Sequence, residues 1–247
     1  IILQNLSRIK KSADLIAIID VSNSLAKCAY LNNYVKPDIN TYGLIDILES
    51  RHPIVELSVG QSEFINNDIL IGSGKNDIQL ITGPNMSGKS TYLRQVALIC
   101  IMSQIGSFVP ATKANISIVD KIFTRIGSSD NLFKGESTFM VEMKEMSNII
   151  KYATCNSLLV LDEIGRGTST FDGLSLARAI VEYISKNIKA KTLFATHYHE
   201  LTELEKKLDN LINMKVDIKE NNDSIIFLRK ITGGSTDKSY GIEVAEL

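Results

Sequence analysis

The sequence has few cysteines and no long apolar run. Cys28, Cys100 and Cys155 are odd in number and far apart, with no C-x-x-C pair. This pattern argues against a disulfide framework or a zinc site, and we expect a reducing, cytoplasmic setting. The longest apolar stretch, near residue 100, is broken by Gln104 and Gly106 and is too short to cross a bilayer, and no signal peptide opens the chain. We therefore expect no membrane association.

The sequence also lacks an excess of charge of either sign. Its 247 residues include 27 basic and 28 acidic side chains, for a net charge of −1. No overall field therefore draws the chain to nucleic acid or to a membrane surface. With 44% hydrophobic residues the chain can bury a sizeable core. It contains no internal repeat, and its start at Ile1 without a methionine leads us to expect a piece of a longer protein.

The most informative stretch is residues 83–90, Gly-Pro-Asn-Met-Ser-Gly-Lys-Ser, which matches the pattern G-x-x-x-x-G-K-[ST]. A β-like apolar run at 78–82 precedes it and a helix-forming run follows. Gly83 and Gly88 allow the backbone to curl so that its N–H groups converge on phosphate oxygens at a helix N-terminus. The pattern predicts a nucleotide-phosphate site. The alternative is a Gly/Pro turn with a solvated lysine.

Each polar residue at the end of this loop has a predicted role. Lys89 would bring positive charge to the β- and γ-phosphates, and the Ser90 hydroxyl would bind the Mg²⁺ that bridges them. The helix would then begin at Thr91. The predicted nucleotide-binding residues of the loop are Gly83, Pro84, Asn85, Met86, Ser87, Gly88, Lys89, Ser90 and Thr91.

Two adjacent acids follow the apolar run Leu-Leu-Val-Leu at 158–161. Such a run is typical of a buried parallel strand, and ligands of open α/β sheets bind at the carboxyl ends of strands. We expect Asp162 to hold Mg²⁺ through water and Glu163 to orient and deprotonate an attacking water. Two acids alone also fit a solvated strand end, but together with the loop at 83–90 they indicate a catalytic pair.

Histidine and phenylalanine supply two further candidates. His197 follows the strand-like run 192–196, so we expect it at the same sheet edge as a sensor of the γ-phosphate. His52 and His199 are interpreted as structural or solvated. Phe64 stands in a polar stretch before the nucleotide strand, where covering the edge of the core and stacking on a purine both remain open.

The remaining pattern predicts the order of elements along the chain. Ser137 is a candidate cap for a helix whose methionine stripe, Met140 to Met146, indicates core packing. Asp172 is the predicted N-cap of the next long helix. We expect one or two helices over 1–33, strands at 45–48, 54–57, 69–71, 78–81, 116–126, 158–161 and 192–196, helices at 91–105 and 200–209, a hairpin over 212–230 and a flexible link at 233–235.

Three stretches together resemble the ATPase domain of the DNA mismatch-repair MutS family. They are ITGPNMSGKSTYLRQ at 81–95, GESTFMVEM at 135–143, and LDEIGRGTSTFDGLSLA at 161–177 followed by FATHYHEL at 194–201. The closing SYGIEVAEL at 239–247 is also similar. A transporter-type ABC subunit would instead carry a Leu-Ser-Gly-Gly-Gln signature, which the sequence lacks.

The resemblance implies an α/β fold of the P-loop NTPase, ABC-ATPase type. Its central sheet would be mostly parallel, flanked by helices, with a small antiparallel β layer and a helical lever segment in front. Residues 1–39 would be the end of that lever or connector, and 40–247 the ATPase domain, truncated before the family's C-terminal helix-turn-helix. The family's mismatch-reading and clamp domains would lie upstream.

The resemblance also implies Mg²⁺-dependent hydrolysis of ATP to ADP at composite sites shared by two MutS-type subunits. Ser137 would act on the partner's γ-phosphate, and residues 165–170 would lie at the same interface. Phe64 would stack on adenine beside Ile65, with Arg229 covering its other face, and among the loop residues Asn85 would face the γ-phosphate. Mismatched DNA, bound through the missing domains, and a MutL-type protein are the implied partners. The alternative is a nucleotide-gated assembly or clamp module of a MutS-like protein with a role outside repair.

Overall fold

The structure, a computed structural model, describes residues 2–72, 74–127, 137–221 and 224–235. The loop and motif residues expected at 128–136, the hairpin turn at 222–223 and the closing stretch at 239–247 lie outside them. In chain order the α-helices are α1 (Ile2–Leu31), α2 (Val55–Val59), α3 (Lys89–Gln104), α4 (Thr138–Tyr152) and α5 (Thr170–Tyr183). The strands are β1 (Asp38–Asn40), β2 (Ile45–Ser50), β3 (Asn67–Ile71), β4 (Ile78–Thr82), β5 (Lys113–Ser117), β6 (Ile122–Arg125), β7 (Leu158–Asp162), β8 (Lys191–Thr196), β9 (Leu211–Asn221) and β10 (Ser224–Gly233).

The larger sheet, as far as it is described, has the strand order β10-β9-β4-β8-β7-β6. Every neighbouring pair is parallel except the β9–β10 hairpin. The central strands β4, β7 and β8 are buried along their whole length, as expected for parallel strands covered on both faces. The mostly parallel sheet and the hairpin expected from the sequence are therefore confirmed.

The smaller sheet has the order β1-β5-β2-β3. It is antiparallel apart from the parallel pair β1–β5, so the β layer expected as antiparallel is mixed. One hydrophobic cluster joins α3 to this sheet and to one face of the larger sheet. A second cluster joins α4 and α5 to the opposite face. The larger sheet is thus the middle layer, and the carboxyl edge of its strands faces the phosphate loop.

The first helix is a single element that leaves most of its apolar side chains in solvent. Leu3 is 85% exposed and Ile19 is 68% exposed, whereas Ala29 near the C-terminal end is buried. No helix in the described part of the chain is long and apolar enough to cross a membrane. The strand β1, Asp38–Asn40, spans the expected domain boundary at residue 39 and pairs with β5, so the chain has entered the smaller sheet at that point.

Two strand predictions were wrong. Residues 55–59 instead form the short helix α2, with Ile54 as its N-cap, and the ring nitrogen Nδ1 of His52 accepts the N–H groups of Ile54 and Val55 at 3.3 Å each, two donors at the start of the helix. The run 116–126 is not one strand. It divides between β5 in the smaller sheet and β6 in the larger one, and the apolar alternation continues because both strands are half buried.

Smaller corrections concern helix ends and one link. Ser169 rather than Asp172 is the N-cap of α5, because its hydroxyl accepts the N–H of Asp172 at 3.4 Å. Of the methionine stripe, Met146 is buried but Met140 is exposed. The expected helix at 200–209 is a 3₁₀ helix, His199–Lys206, and the expected link at 233–235 starts with Gly233 paired in β10.

Candidate nucleotide and metal site

The phosphate loop connects the end of β4 to the start of α3. Gly83 has φ +153° and Gly88 has φ +101°, a region that residues with a side chain rarely adopt. A Cβ atom at Gly83 would lie 3.0 Å from Cγ2 of Val216 on β9, so a side chain there would require Val216 to shift. Both glycines therefore meet the requirement that the sequence pattern predicted for them.

Lys89 is the first residue of α3 and its side chain turns back across the loop. Its Nζ donates to the carbonyl oxygens of Gly83 at 2.6 Å and Pro84 at 2.7 Å. Burial lowers the pKa of Lys89, and the carboxylates of Glu163 and Asp162 oppose that change. The ammonium group is thus held over the curled backbone.

Ser90 and Asp162 come together although they belong to different elements. The Ser90 hydroxyl donates to Oδ2 of Asp162 at 2.5 Å. The other carboxylate oxygen, Oδ1, is buried and has no hydrogen-bond partner. Burial raises the pKa of Asp162, and the hydrogen bond from Ser90 opposes that rise. A buried carboxylate oxygen without a partner beside a hydroxyl is a fitting pair of oxygen donors for Mg²⁺.

The described residues contain no cluster of three or more His, Cys, Asp and Glu side chains that could hold a metal by itself. The protein's contribution at this point is Ser90 together with Asp162. A donor set of this size matches Mg²⁺ bound with substrate phosphates and water, which is the usual mode for this ion.

Glu163 and His197 lie at the same sheet edge. Glu163 adopts φ +54° immediately after β7, and its N–H donates to the carbonyl of Ala195 on β8 at 3.0 Å. Its carboxylate pairs with Arg166. The pKa of His197 is lowered first by burial and then by the positive charge of Arg166, so its ring is neutral at pH 7.

A cavity of about 350 Å³ adjoins the phosphate loop. Its wall includes the loop from Asn85 to Tyr92, together with Glu163 at the carboxyl edge of the larger sheet. The wall also includes Phe64 and Ile65, the residues expected at the nucleobase, and Arg229, whose side chain lies beside Gly88 of the loop. Five of the predicted site residues are not part of the cavity wall: Gly83, Pro84, Asp162, His197 and Ser137. Lys89 nevertheless bonds to Gly83 and Pro84, and Ser90 bonds to Asp162.

Sequence reasoning missed the residue that joins the two halves of this wall. Asn67 at the start of β3 is buried, and its side chain donates to the carbonyl of Arg229 at 3.0 Å and accepts from the N–H of Ile231 at 2.8 Å. Arg229 has φ +53° and lies at the irregularity in the β9–β10 pairing. Asn66 and Asn67 carried the signal of a turn, and no local pattern marks a bond across 162 residues.

Ser137 is the N-cap of α4, as predicted, since its hydroxyl accepts the N–H of Met140 at 3.2 Å. The side chain is exposed and does not reach the cavity of its own chain. The loop that carries Gly167 packs beside it, because a Cβ at Gly167 would lie 3.1 Å from Cβ of Phe139. Gly167 therefore packs against Phe139 in the first turn of α4.

A mostly parallel sheet with a glycine-bounded loop before a helix, and an aspartate bonded to the serine of that loop, defines a mixed α/β protein of the P-loop class. Residues 79–247 match MutS domain V. The whole chain is 95% identical to the DNA mismatch repair protein MutS of Finegoldia magna and covers 29% of that protein. It is 58% identical over 246 residues to the Clostridium botulinum (strain Eklund 17B) DNA mismatch repair protein MutS and 59% identical over 246 residues to that of Clostridioides difficile, covering 26% of each.

The chain therefore belongs to the MutS family. It spans less than a third of the length of these relatives.

Proposed function

We propose that this chain binds ATP with Mg²⁺ and hydrolyses it to ADP, as the ATPase domain of a MutS-like mismatch-repair protein. The observation that carries the proposal is the contact of the Ser90 hydroxyl with Asp162, whose second carboxylate oxygen is buried without a partner. A buried carboxylate of this kind is costly unless a cation or a donor satisfies it. Its position next to Lys89 and the phosphate loop supports a magnesium-bound triphosphate as the ligand.

In the proposed reaction a water oxygen attacks the γ-phosphorus in line, and the bond from that phosphorus to the β–γ bridging oxygen breaks. Glu163 accepts the proton of the attacking water. Lys89 and the N–H groups of the loop neutralise the charge on the transferred phosphoryl group, and neutral His197 donates to a γ-phosphate oxygen. Mg²⁺, held by Ser90 and through water by Asp162, supplies further charge neutralisation when bound.

The nucleobase is assigned to the other end of the cavity. Phe64 is half-buried in the cavity wall beside Ile65, and Arg229 is part of the same wall. A planar aromatic ring and a guanidinium group both stack on purines. The hydrogen bonds of Asn67 support a fixed position of Arg229 relative to the segment that carries Phe64.

We infer that hydrolysis occurs in a dimer. The exposed hydroxyl of Ser137 at the positive end of α4, and the packing of Gly167 against the first turn of that helix, support a contact with the γ-phosphate of a second MutS-type subunit. Residues 1–39, with the exposed face of α1, are assigned as the end of the lever, and mismatched DNA would bind through domains outside this chain. A MutL-type partner and a cytoplasmic setting belong to the same proposal.

Steady-state hydrolysis of ATP by the intact protein tests this function. Glu163→Gln should lower the rate about a hundredfold or more while ATP binding remains, and Lys89→Ala should weaken both. Glu203→Gln and Lys206→Ala, at exposed positions of the 3₁₀ helix, are the matched controls. Wild-type rates in both site variants would contradict the proposal. Assembly and function that persist in Glu163→Gln would favour nucleotide gating without turnover.

The shared site has its own test. Lys89→Ala and Ser137→Ala chains are each expected to be inactive, but a mixed dimer contains one site with both native residues. Mixing them should recover about a quarter of the wild-type rate, because about half of the dimers are mixed and each has one of its two sites intact. Activity that stays absent in the mixture, with dimers present, would contradict sharing.

A further inference from the structure

The Gly165 peptide, two residues after Glu163, is held by side chains from two other elements. Its N–H donates to Oε1 of Glu142 on α4 at 2.6 Å. Its carbonyl accepts from the hydroxyl of Tyr198, which follows β8, at 3.1 Å. Glu142 and Tyr198 are both buried. Burial and the nearby Glu142 carboxylate raise the pKa of Tyr198, so its hydroxyl keeps the proton that it donates.

The backbone around Gly165 is tightly packed. Gly165 has φ +89°, and a Cβ there would lie 2.6 Å from the carbonyl oxygen of Gly173 on α5. A Cβ on Gly173 would in turn lie 2.3 Å from the hydroxyl oxygen of Tyr198. Real Cβ atoms do not approach other atoms this closely, so both positions require glycine. A shift of the Gly165 peptide must therefore move its neighbours as well.

The second oxygen of Glu142 is also engaged. Nη2 of Arg125, the last residue of β6, lies 3.4 Å from Oε2 of Glu142, and Nε of Arg125 lies 3.1 Å from the more exposed carboxylate of Glu145. The desolvation cost of burying a carboxylate is offset when the carboxylate is paired with a charge and hydrogen-bonded. Glu142 is paired with Arg125 and hydrogen-bonded by Gly165. Glu142 thus contacts two elements, whereas Glu145 contacts one of them.

These bonds join the three elements that carry the proposed catalytic side chains. Glu142 is on the helix that Ser137 caps, and Gly165 is two residues after Glu163. Tyr198 directly follows His197, and their ring centroids are 4.3 Å apart. The Gly165 peptide is the point where these elements meet.

We propose that Glu142 is a positioning residue for ATP hydrolysis, and that its bond to the Gly165 N–H sets Glu163 relative to His197 within the site of its own chain. This inference rests on the proposed function. Misplacing a general base by a fraction of an ångström slows the chemical step and leaves nucleotide binding unchanged, since the Gly165 peptide lies outside the cavity wall.

The test uses Glu142→Gln, Tyr198→Phe and their combination in the intact protein. If the side-chain oxygen of the introduced glutamine accepts from the Gly165 N–H, its NH₂ group faces Arg125, and if the oxygen faces Arg125, the bond to Gly165 is lost. Tyr198→Phe removes one buried hydroxyl. Single-turnover hydrolysis should fall about tenfold to a hundredfold in each, with ATP affinity within about twofold of wild type. Because both variants act on the backbone of Gly165, the loss in the double variant should be smaller than the product of the single losses.

Glu145→Gln is the matched control. It removes a carboxylate that contacts Arg125 from the same helix but does not touch Gly165, and should keep the wild-type hydrolysis rate. An equal loss in Glu145→Gln and Glu142→Gln would assign the effect to Arg125 and overturn the inference. The inference would also be overturned if Glu142→Gln and Tyr198→Phe both lowered the melting temperature but kept the wild-type rate of hydrolysis per folded molecule.

The two hypotheses fail in different ways. Hydrolysis by wild-type protein no faster than by Lys89→Ala would overturn the proposed function itself. Hydrolysis by wild type that Glu142→Gln and Tyr198→Phe leave unchanged would overturn the positioning role alone. If Glu142→Gln does not fold, the rate and affinity of Tyr198→Phe decide the question, because that variant keeps the buried charge pair.

Discussion

The hydroxyl of Ser90 lies 2.5 Å from Oδ2 of Asp162, although 72 residues separate them in the chain. Ser90 is on the helix that follows β4, and Asp162 is the last residue of β7, two strands away across β8. The parallel order of these strands brings their carboxyl ends to one edge, where α3 begins. The two oxygen donors proposed for Mg²⁺ are therefore oriented by the fold.

Ser90→Ala tests this pair directly. Loss of the hydroxyl removes one proposed Mg²⁺ ligand, so Mg²⁺-dependent ATP hydrolysis should fall about a hundredfold. The measurement is the hydrolysis rate across a Mg²⁺ titration. Ser103→Ala, the same change at a buried position near the other end of α3, should leave the rate unchanged. A wild-type Mg²⁺ dependence in Ser90→Ala would exclude the serine as a ligand.

Phe64→Ala tests the nucleobase assignment. Loss of base stacking should weaken ATP binding about tenfold, and binding of inorganic tripolyphosphate, which has no base, should not change. The measurement is a competition titration with both ligands. Phe108→Ala, at a partly exposed position away from the cavity, is the control. Equal weakening for both ligands would show that Phe64 supports the loop and does not contact the base.

His52 is expected to make stability depend on pH. Burial lowers its pKa below the ordinary value of 6.5, and its Nδ1 must be unprotonated to accept the N–H groups of Ile54 and Val55. The unfolded chain therefore takes up the proton first as pH falls. The stability that His52 contributes is complete above pH 6.5 and is lost as pH falls through the lower pKa of the folded state.

The check is chemical denaturation of wild type and His52→Asn at pH 7.5 and 5.5. Asparagine can cap the same turn without titrating. The wild type should lose more free energy of unfolding than the variant over this interval. Because α2 contributes Val55 and Val59 to the cavity wall, the wild type should also lose more ATP affinity. Parallel losses in both proteins would show that His52 does not titrate in this range.

Gly72→Ala should destabilise the smaller sheet where the end of β3 meets the turn before β2. A Cβ at Gly72, where φ is +93°, would lie 2.0 Å from the carbonyl oxygen of Gly43. Strained backbone and overpacking together should cost about 2–4 kcal/mol. At Gly74, φ is +81° and a Cβ would meet nothing within 4 Å, so Gly74→Ala should cost about 1 kcal/mol. Equal melting temperatures for the two variants would contradict the clash.

Much of the fold could be predicted because the strongest patterns were long and buried on all sides. The runs that became β4, β7 and β8 have no solvent face, so their composition alone indicates parallel strands. The phosphate loop was predictable because glycine, lysine and serine each meet a local requirement. Errors arose where local preference was weak. The strand-like run at 54–57 lies instead at the start of a short helix, where His52 accepts two N–H groups, and a histidine contributes nothing to apolar periodicity.

The candidate site was predictable as separate parts. Asp162 ends a strand of the larger sheet, and Lys89, Ser90, Glu163 and His197 follow such strands, so the rule for carboxyl edges brings them together. The supporting residues were not predictable. Asn67 and Glu142 resemble ordinary polar residues in the sequence, and their functions depend on partners that the chain brings near after folding.

The sequence by itself determined the phosphate loop, the acids after β7 and the parallel strands, because glycine conformation, charge and burial act within a few residues. The tertiary structure alone decided three contacts. Ser90 donates to one oxygen of Asp162, Asn67 donates to the carbonyl of Arg229 in the cavity wall, and Glu142 accepts from the N–H of Gly165. These contacts depend on distances between elements. Distances of that kind are set by the packing of the whole core and not by local preference.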